Sequence, residues 1–127
     1  MAYKLLVGVY GDAISTLEFD PAAKSIKVTK ESSVCPNPSW IAEGKGGLYS
    51  ISEAEPGLVT QLERDGDVVK ETSKKETGGG PAHILVTSKG DVVVSNVSLP
   101  RRLFSSFHHT NSPLHCSAHL RLSTRGR

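Results

Sequence analysis

The chain has 127 residues, a hydrophobic content of 37% and a formal charge of +2, a length that fits one domain. No run approaches the roughly 18 apolar residues of a membrane-spanning helix, and Cys35 and Cys116 make no disulfide framework. Met1-Ala2-Tyr3-Lys4 leads into a strand rather than the apolar core of a secretion signal, so a cytoplasmic location without a membrane partner is expected.

Lys4 to Tyr10 is an apolar run of strand length, followed by the turn Gly11-Asp12. Ile14 to Phe19 forms a second strand, which Asp20-Pro21 breaks because proline cannot donate to a ladder. Ser25 to Thr29 is a third strand, and these three lack a fourth partner. Cys35-Pro36-Asn37-Pro38 is a rigid connector. The next unit is complete. Trp40 to Glu43 and Leu48 to Ser52 flank a Gly-rich turn, while Leu58 to Glu63 and Val68 to Thr72 flank the hairpin turn Arg64-Asp65-Gly66-Asp67. Gly78-Gly79-Gly80-Pro81 carries neither the spacing nor the Lys-Ser/Thr of a phosphate loop and is expected to let the chain cross to the next unit. That unit opens with His83 to Thr87, the turn Ser88-Lys89-Gly90 and the strand Asp91 to Asn96.

The organising feature is a repeat. Pro38 to Glu53 aligns on Pro81 to Asn96 for sixteen residues without a gap, at an offset of 43, and the same offset sets Tyr10 on Glu53. A period of about 40–50 residues built from short strands marks propeller blades. The expected fold is all-β: an incomplete β-propeller of about two and a half four-stranded blades over residues 1–96, with an irregular C-terminal tail at 97–127.

The tail differs in composition. Residues 1–96 hold all 13 acidic residues and ten basic ones, nine Lys and Arg64, a balance of −3; residues 97–127 hold five Arg and no acid, a balance of +5. The tail shows no sustained period and is expected to be disordered or unrelated to the fold. A shifted reading frame or retained intron would explain a break at this point. His108, His109, His115, Cys116 and His119 lack zinc-ligand spacing, so no metal or other cofactor is expected. The dispersed arginines make too weak a patch for a nucleic-acid partner.

Trp40 and Tyr49 read as packing residues between blades. Glu53, His83 and Asn96 are the candidate site residues, each expected at an end of an inner strand where a propeller shapes its ligand funnel. An imidazole or carboxylate can transfer a proton, and an amide can stabilise an oxyanion.

Val7-Gly8-Val9-Tyr10, Pro38-Ser39-Trp40, Leu48-Tyr49-Ser50-Ile51-Ser52-Glu53, Gly80-Pro81-Ala82-His83 and Val92-Val93-Val94-Ser95-Asn96 together resemble the opening blades of the seven-bladed lactonase family. That family includes propeller-type 6-phosphogluconolactonase and the carboxy-cis,cis-muconate cyclases. Val9 and Val97 depart from its pattern, which has Thr and Tyr there. The resemblance implies hydrolysis of a sugar-acid lactone or a related lactone-forming reaction. His83 would be base or acid, Glu53 its partner or a hydroxyl ligand, and Asn96 an oxyanion or substrate donor. A seven-bladed ring needs about 300 residues at this period, so the chain is expected to be inactive alone, with anion-binding residues in blades it lacks. Its open blade face is expected to make it prone to self-association. The competing reading is a non-enzymatic β-sheet binding module with a basic tail.

Overall fold

The computed structural model describes residues 1–97, together with the backbone of two further strands at 104–108 and 115–117. Every regular element among them is a strand: β1 (Tyr3–Gly8), β2 (Ala13–Asp20), β3 (Ser25–Ser33), β4 (Trp40–Gly44), β5 (Gly47–Ser52), β6 (Gly57–Asp65), β7 (Val68–Gly78), β8 (Pro81–Val86), β9 (Val92–Asn96), β10 (Phe104–His108) and β11 (His115–Ser117). They form three antiparallel meanders, ordered β1-β2-β3, β4-β5-β6-β7 and β8-β9-β10-β11. By the repeat, β1 corresponds to β5. Among the described residues the first sheet therefore has no counterpart of β4 and β8.

The tail contributes to the third sheet. β10 pairs with β9 (Phe104 opposite Ser95, Phe107 opposite Val92), and β11 pairs with β10. The sequence showed no strand here because Phe104 and Phe107 are three apart, which breaks the period-2 signal. Backbone pairing does not require that signal. The other tail residues, and the side chains on which the metal and nucleic-acid readings rest, lie outside what the structure describes.

The sheets stack front on back. Leu6 and Ile14, on the back of the first sheet, pack against Ile41, Leu48, Leu62 and Val69 on the front of the second. Tyr49, Ile51 and Val59, on the back of the second, pack against Ile84, Val92 and Val94 on the front of the third. Each fully buried branched or aromatic side chain contributes ~1.5–3 kcal/mol relative to exposure, so these two seams are the core.

Polar groups tie the first seam. Thr16 Oγ1 donates to the Asp67 carbonyl at 2.7 Å, and Val69 N donates to Ser32 Oγ at 2.9 Å. Lys4 Nζ lies 2.9 Å from Asp67 Oδ2 and 3.3 Å from Glu18 Oε2, and Lys27 also pairs with Glu18 at 2.7 Å. Cys35 is buried here, its backbone N–H donating to Glu71 and its thiol 3.7 Å from Thr60 Oγ1. Burial is the main reason its thiol pKa is raised.

The repeat is visible in the backbone, with one amendment. Asn37 and Gly80, 43 apart, both adopt left-handed backbone (φ 49° and 57°) just before the prolines that open β4 and β8. The first strands keep that offset, but the second strands do not. Trp40 pairs with Ile51, whereas His83 pairs with Ser95; Glu53 N bonds to Asn37 O, whereas Val97 N bonds to Gly80 O. The β8–β9 hairpin holds one more residue than the β4–β5 hairpin, so the ungapped alignment is off by one in its second half. Three consecutive valines, Val92 to Val94, hid the slip: any of them suits either face. Pairing decides it, burying Val92 and Val94 and leaving Val93 half-buried.

Candidate functional site

The connectors and second-strand ends gather the candidate residues at one end of the sheets. Glu53 directly follows β5, and Asn96 is the last residue of β9. Both therefore sit at the ends of second strands. They were expected at the ends of inner strands; in the sheet order they end the strands one in from the edge formed by β4 or β8. His83 does lie on a first strand, near the start of β8.

His83 is exposed, and its ring meets the indole of Trp40, with centroids 4.5 Å apart and planes tilted by 55°. Trp40 is 46% exposed. Trp40 therefore packs across the blade boundary at the surface, whereas Tyr49 is fully buried in the second seam. Residues 43 apart on β4 and β8 touch because consecutive first strands lie side by side across the blade boundary.

Glu53 makes a similar contact across the first boundary. Tyr10 Oη donates to Glu53 Oε2 at 2.9 Å, and this bond to the carboxylate holds the phenol pKa above its usual range. Glu53 is fixed through its backbone as well: its N–H donates to Asn37 O, and its carbonyl accepts from Asn37 Nδ2 at 3.4 Å. Asn37 can hold this pose because asparagine tolerates left-handed backbone better than most side chains.

Asn96 is different. It is 4% exposed, its Nδ2 donates to the Thr77 carbonyl, and its Oδ1 has no hydrogen-bond partner among the described residues. Once the register is amended, its counterpart is Ser52, also buried, whose Oγ donates to the Pro36 carbonyl. Ser52 closes the end of β5 onto the connector before β4, and Asn96 closes the end of β9 onto the last residues of β7. The counterpart of Glu53 is Val97.

Among the described residues no hydrogen bond or ion pair joins Glu53, His83 and Asn96 to one another. The chemistry-bearing surface consists of two accessible pairs, Trp40–His83 and Tyr10–Glu53. The pairing of Trp40 with His83 was legible in the 43-residue offset, but the direct ring contact was not. A cavity of about 310 Å³ lies elsewhere, between Ser33–Pro36, Glu71 and Lys74. The described residues hold no cluster of three metal-ligating side chains, and no helix in them is long and apolar enough to cross a membrane.

Stacked antiparallel meanders of three and four strands, with β4 and β8 side by side, define a β-propeller blade array. A family model for the lactonase seven-bladed β-propeller matches residues 4–97, and the chain belongs to that family. A crystal structure of a protein from Lactobacillus plantarum has the same fold, with a TM-score of 0.78 at 19% sequence identity. The match covers 92% of this chain and 36% of that one, so the chain spans little more than a third of the solved protein's length. No curated protein matches the chain.

Proposed function

We propose that this chain supplies the opening blades of a lactonase-type substrate site acting on a sugar-acid lactone, and that it does not turn over substrate alone. Family membership over residues 4–97 supports the reading, and one observation carries it to particular residues: His83 is presented to solvent against the face of Trp40. Lactone opening needs water to attack the ring carbonyl, a base to take its proton and an acid to protonate the leaving ring oxygen. His83 is the group here suited to that transfer. Glu53, held by Tyr10, is suited to a substrate hydroxyl. Asn96 sets the end of β9 through Thr77, and its buried amide takes no direct part in this reading. A 6-phosphogluconolactone-like substrate also needs cations, and the exposed pairs around His83 and Glu53 bring none.

Trp40 is the sole tryptophan of the chain, so its emission reports on this site directly. Adding a sugar-acid lactone, or its open acid, is expected to change that emission saturably, and His83→Ala is expected to weaken the response. No change up to millimolar ligand would remove the site assignment. Lactone hydrolysis by the 127-residue chain is expected to match buffer; a rate above background that vanishes in His83→Ala would show that the segment is active alone.

A further inference from the structure

The front of the first sheet presents one apolar surface. Cross-strand pairing sets Tyr3 opposite Phe19, Leu5 opposite Leu17, Phe19 opposite Ile26 and Leu17 opposite Val28, all on one face. Ile26 is 59% exposed, Val28 58%, Tyr3 51% and Leu5 41%, and the Tyr3 and Phe19 rings stack at 6.4 Å. Among the described residues nothing covers this face. Singly exposed apolar residues are ordinary, but a contiguous exposed patch marks an interaction surface.

The molecule itself shows what fits such a face. Leu48, the repeat counterpart of Leu5, is covered by the back of the first sheet through Leu6 and Ile14. Ile84, Val92 and Val94, on the front of the third sheet, are covered by the back of the second through Tyr49, Ile51 and Val59. Twice, then, a front face is closed by the back face of a like sheet. Among the described residues, the back face left open belongs to the third sheet, where Leu85, 55% exposed, stands opposite half-buried Val93.

We propose that the front of the first sheet, centred on Tyr3, Leu5, Phe19, Ile26 and Val28, docks on the back of the third sheet of a second copy of this chain around Leu85. The contact is head to tail, reproducing between molecules the seam found twice within one. The five front residues, each about half exposed, offer on the order of 400 Å² from one side, or about 800 Å² over both, the size of a weak and concentration-dependent contact. Two different surfaces are used, so each dimer retains one free front and one free back. Association therefore grows into longer chains with concentration.

Sedimentation velocity over micromolar to hundred-micromolar protein tests this. The wild-type chain is expected to shift progressively to species larger than a dimer. Ile26→Lys, at an exposed front position, and Leu85→Glu, at an exposed back position, are each expected to sediment as monomers, with circular dichroism confirming the fold; Val28→Glu is the second front variant. Mixed together, the front and back variants retain one intact surface each. They are expected to form a 1:1 dimer that grows no further. A wild-type chain that stays monomeric overturns the proposal. So does association abolished by Ile26→Lys but untouched by Leu85→Glu, which would mean front-to-front pairing. None of these outcomes depends on lactone binding.

Discussion

Ser32 offers a sharp test of how the first two sheets are held together. Ser32 is 5% exposed, and its hydroxyl accepts from the backbone N–H of Val69, a residue 2% exposed, across the seam. Ser32→Ala removes that acceptor and leaves the buried Val69 amide without its partner across the seam. An orphaned buried donor costs ~1–3 kcal/mol, a large share of the ~5–15 kcal/mol typical of a domain. At about 4–8 °C per kcal/mol for a domain near this size, the melting temperature should fall by roughly 5–20 °C. Thermal denaturation followed by circular dichroism is best done in the Ile26→Lys background, so that mass action between copies does not enter. Hydrogen exchange should show the Val69 amide losing protection first, and Ser32→Thr, which retains an acceptor, should recover most of the loss. A Ser32→Ala melting temperature within about 1 °C of its parent, with Val69 protection unchanged, would mean that the bond does not hold the seam.

Two further outcomes follow from the same seam. A Cβ added at Gly8 would fall deep inside the van der Waals shell of the Pro38 carbonyl oxygen. Backbone cannot rotate out of the way as a side chain can, so Gly8→Ala should separate the first two sheets and cost ~1–3 kcal/mol or more. Gly11→Ala, which meets only Val9 Cγ2 at 3.5 Å, is the control and should be close to neutral in the same melting assay. The Lys4–Glu18–Asp67–Lys27 cluster gives a pH signature. Glu18 is held below its usual pKa chiefly by Lys27 and then Lys4, and Asp67 chiefly by Lys4. Their stabilisation is present above the unfolded carboxylate pKa, about 4, and is lost as pH falls through the depressed folded values. Lys4 is raised, chiefly by Asp67, so its share is complete below about 10.4 and disappears as pH rises through the higher folded value. Lys4→Met should flatten the acid limb of a stability–pH curve. The difference from wild type should shrink in high salt, because the groups are solvent-exposed and screened; a salt-independent difference would argue against the ion pairs.

Much of the fold was legible because strands and turns announce themselves locally. Gly66 adopts positive φ in the hairpin between β6 and β7, as Arg64-Asp65-Gly66-Asp67 requires, and the Pro38 and Pro81 connectors fall where the repeat set them. What failed is what local sequence does not encode. The alternation around Val92 to Val94 could not fix register, so Asn96 was matched to Glu53 when its structural counterpart is Ser52. Trp40 was read as packing between blades; it does meet the next blade, at His83, but its place on a first strand leaves it half in solvent. β10 was missed because its pairing is supplied by β9, not by its own side-chain pattern. The ring contact between Trp40 and His83 depends on how two sheets lean together, a tertiary quantity with no one-dimensional trace.

The extra residue in the β8–β9 hairpin also bears on how such repeats change length. Each second strand is anchored at the connector end, by Asn37 O to Glu53 N and by Gly80 O to Val97 N, while the opposite end closes in turns of different size, Lys45-Gly46 in one blade and residues 87–91 in the other. A residue gained at the turn is absorbed there and re-indexes the following strand without disturbing the connector. Comparisons between blades should therefore be aligned from the left-handed residue before each proline outward, with gaps placed at the hairpin tips. The two tips meet across the blade boundary, where a Cβ at Gly90 would approach the Lys45 carbonyl oxygen at 3.1 Å, so a residue gained at one tip must also fit the neighbouring one.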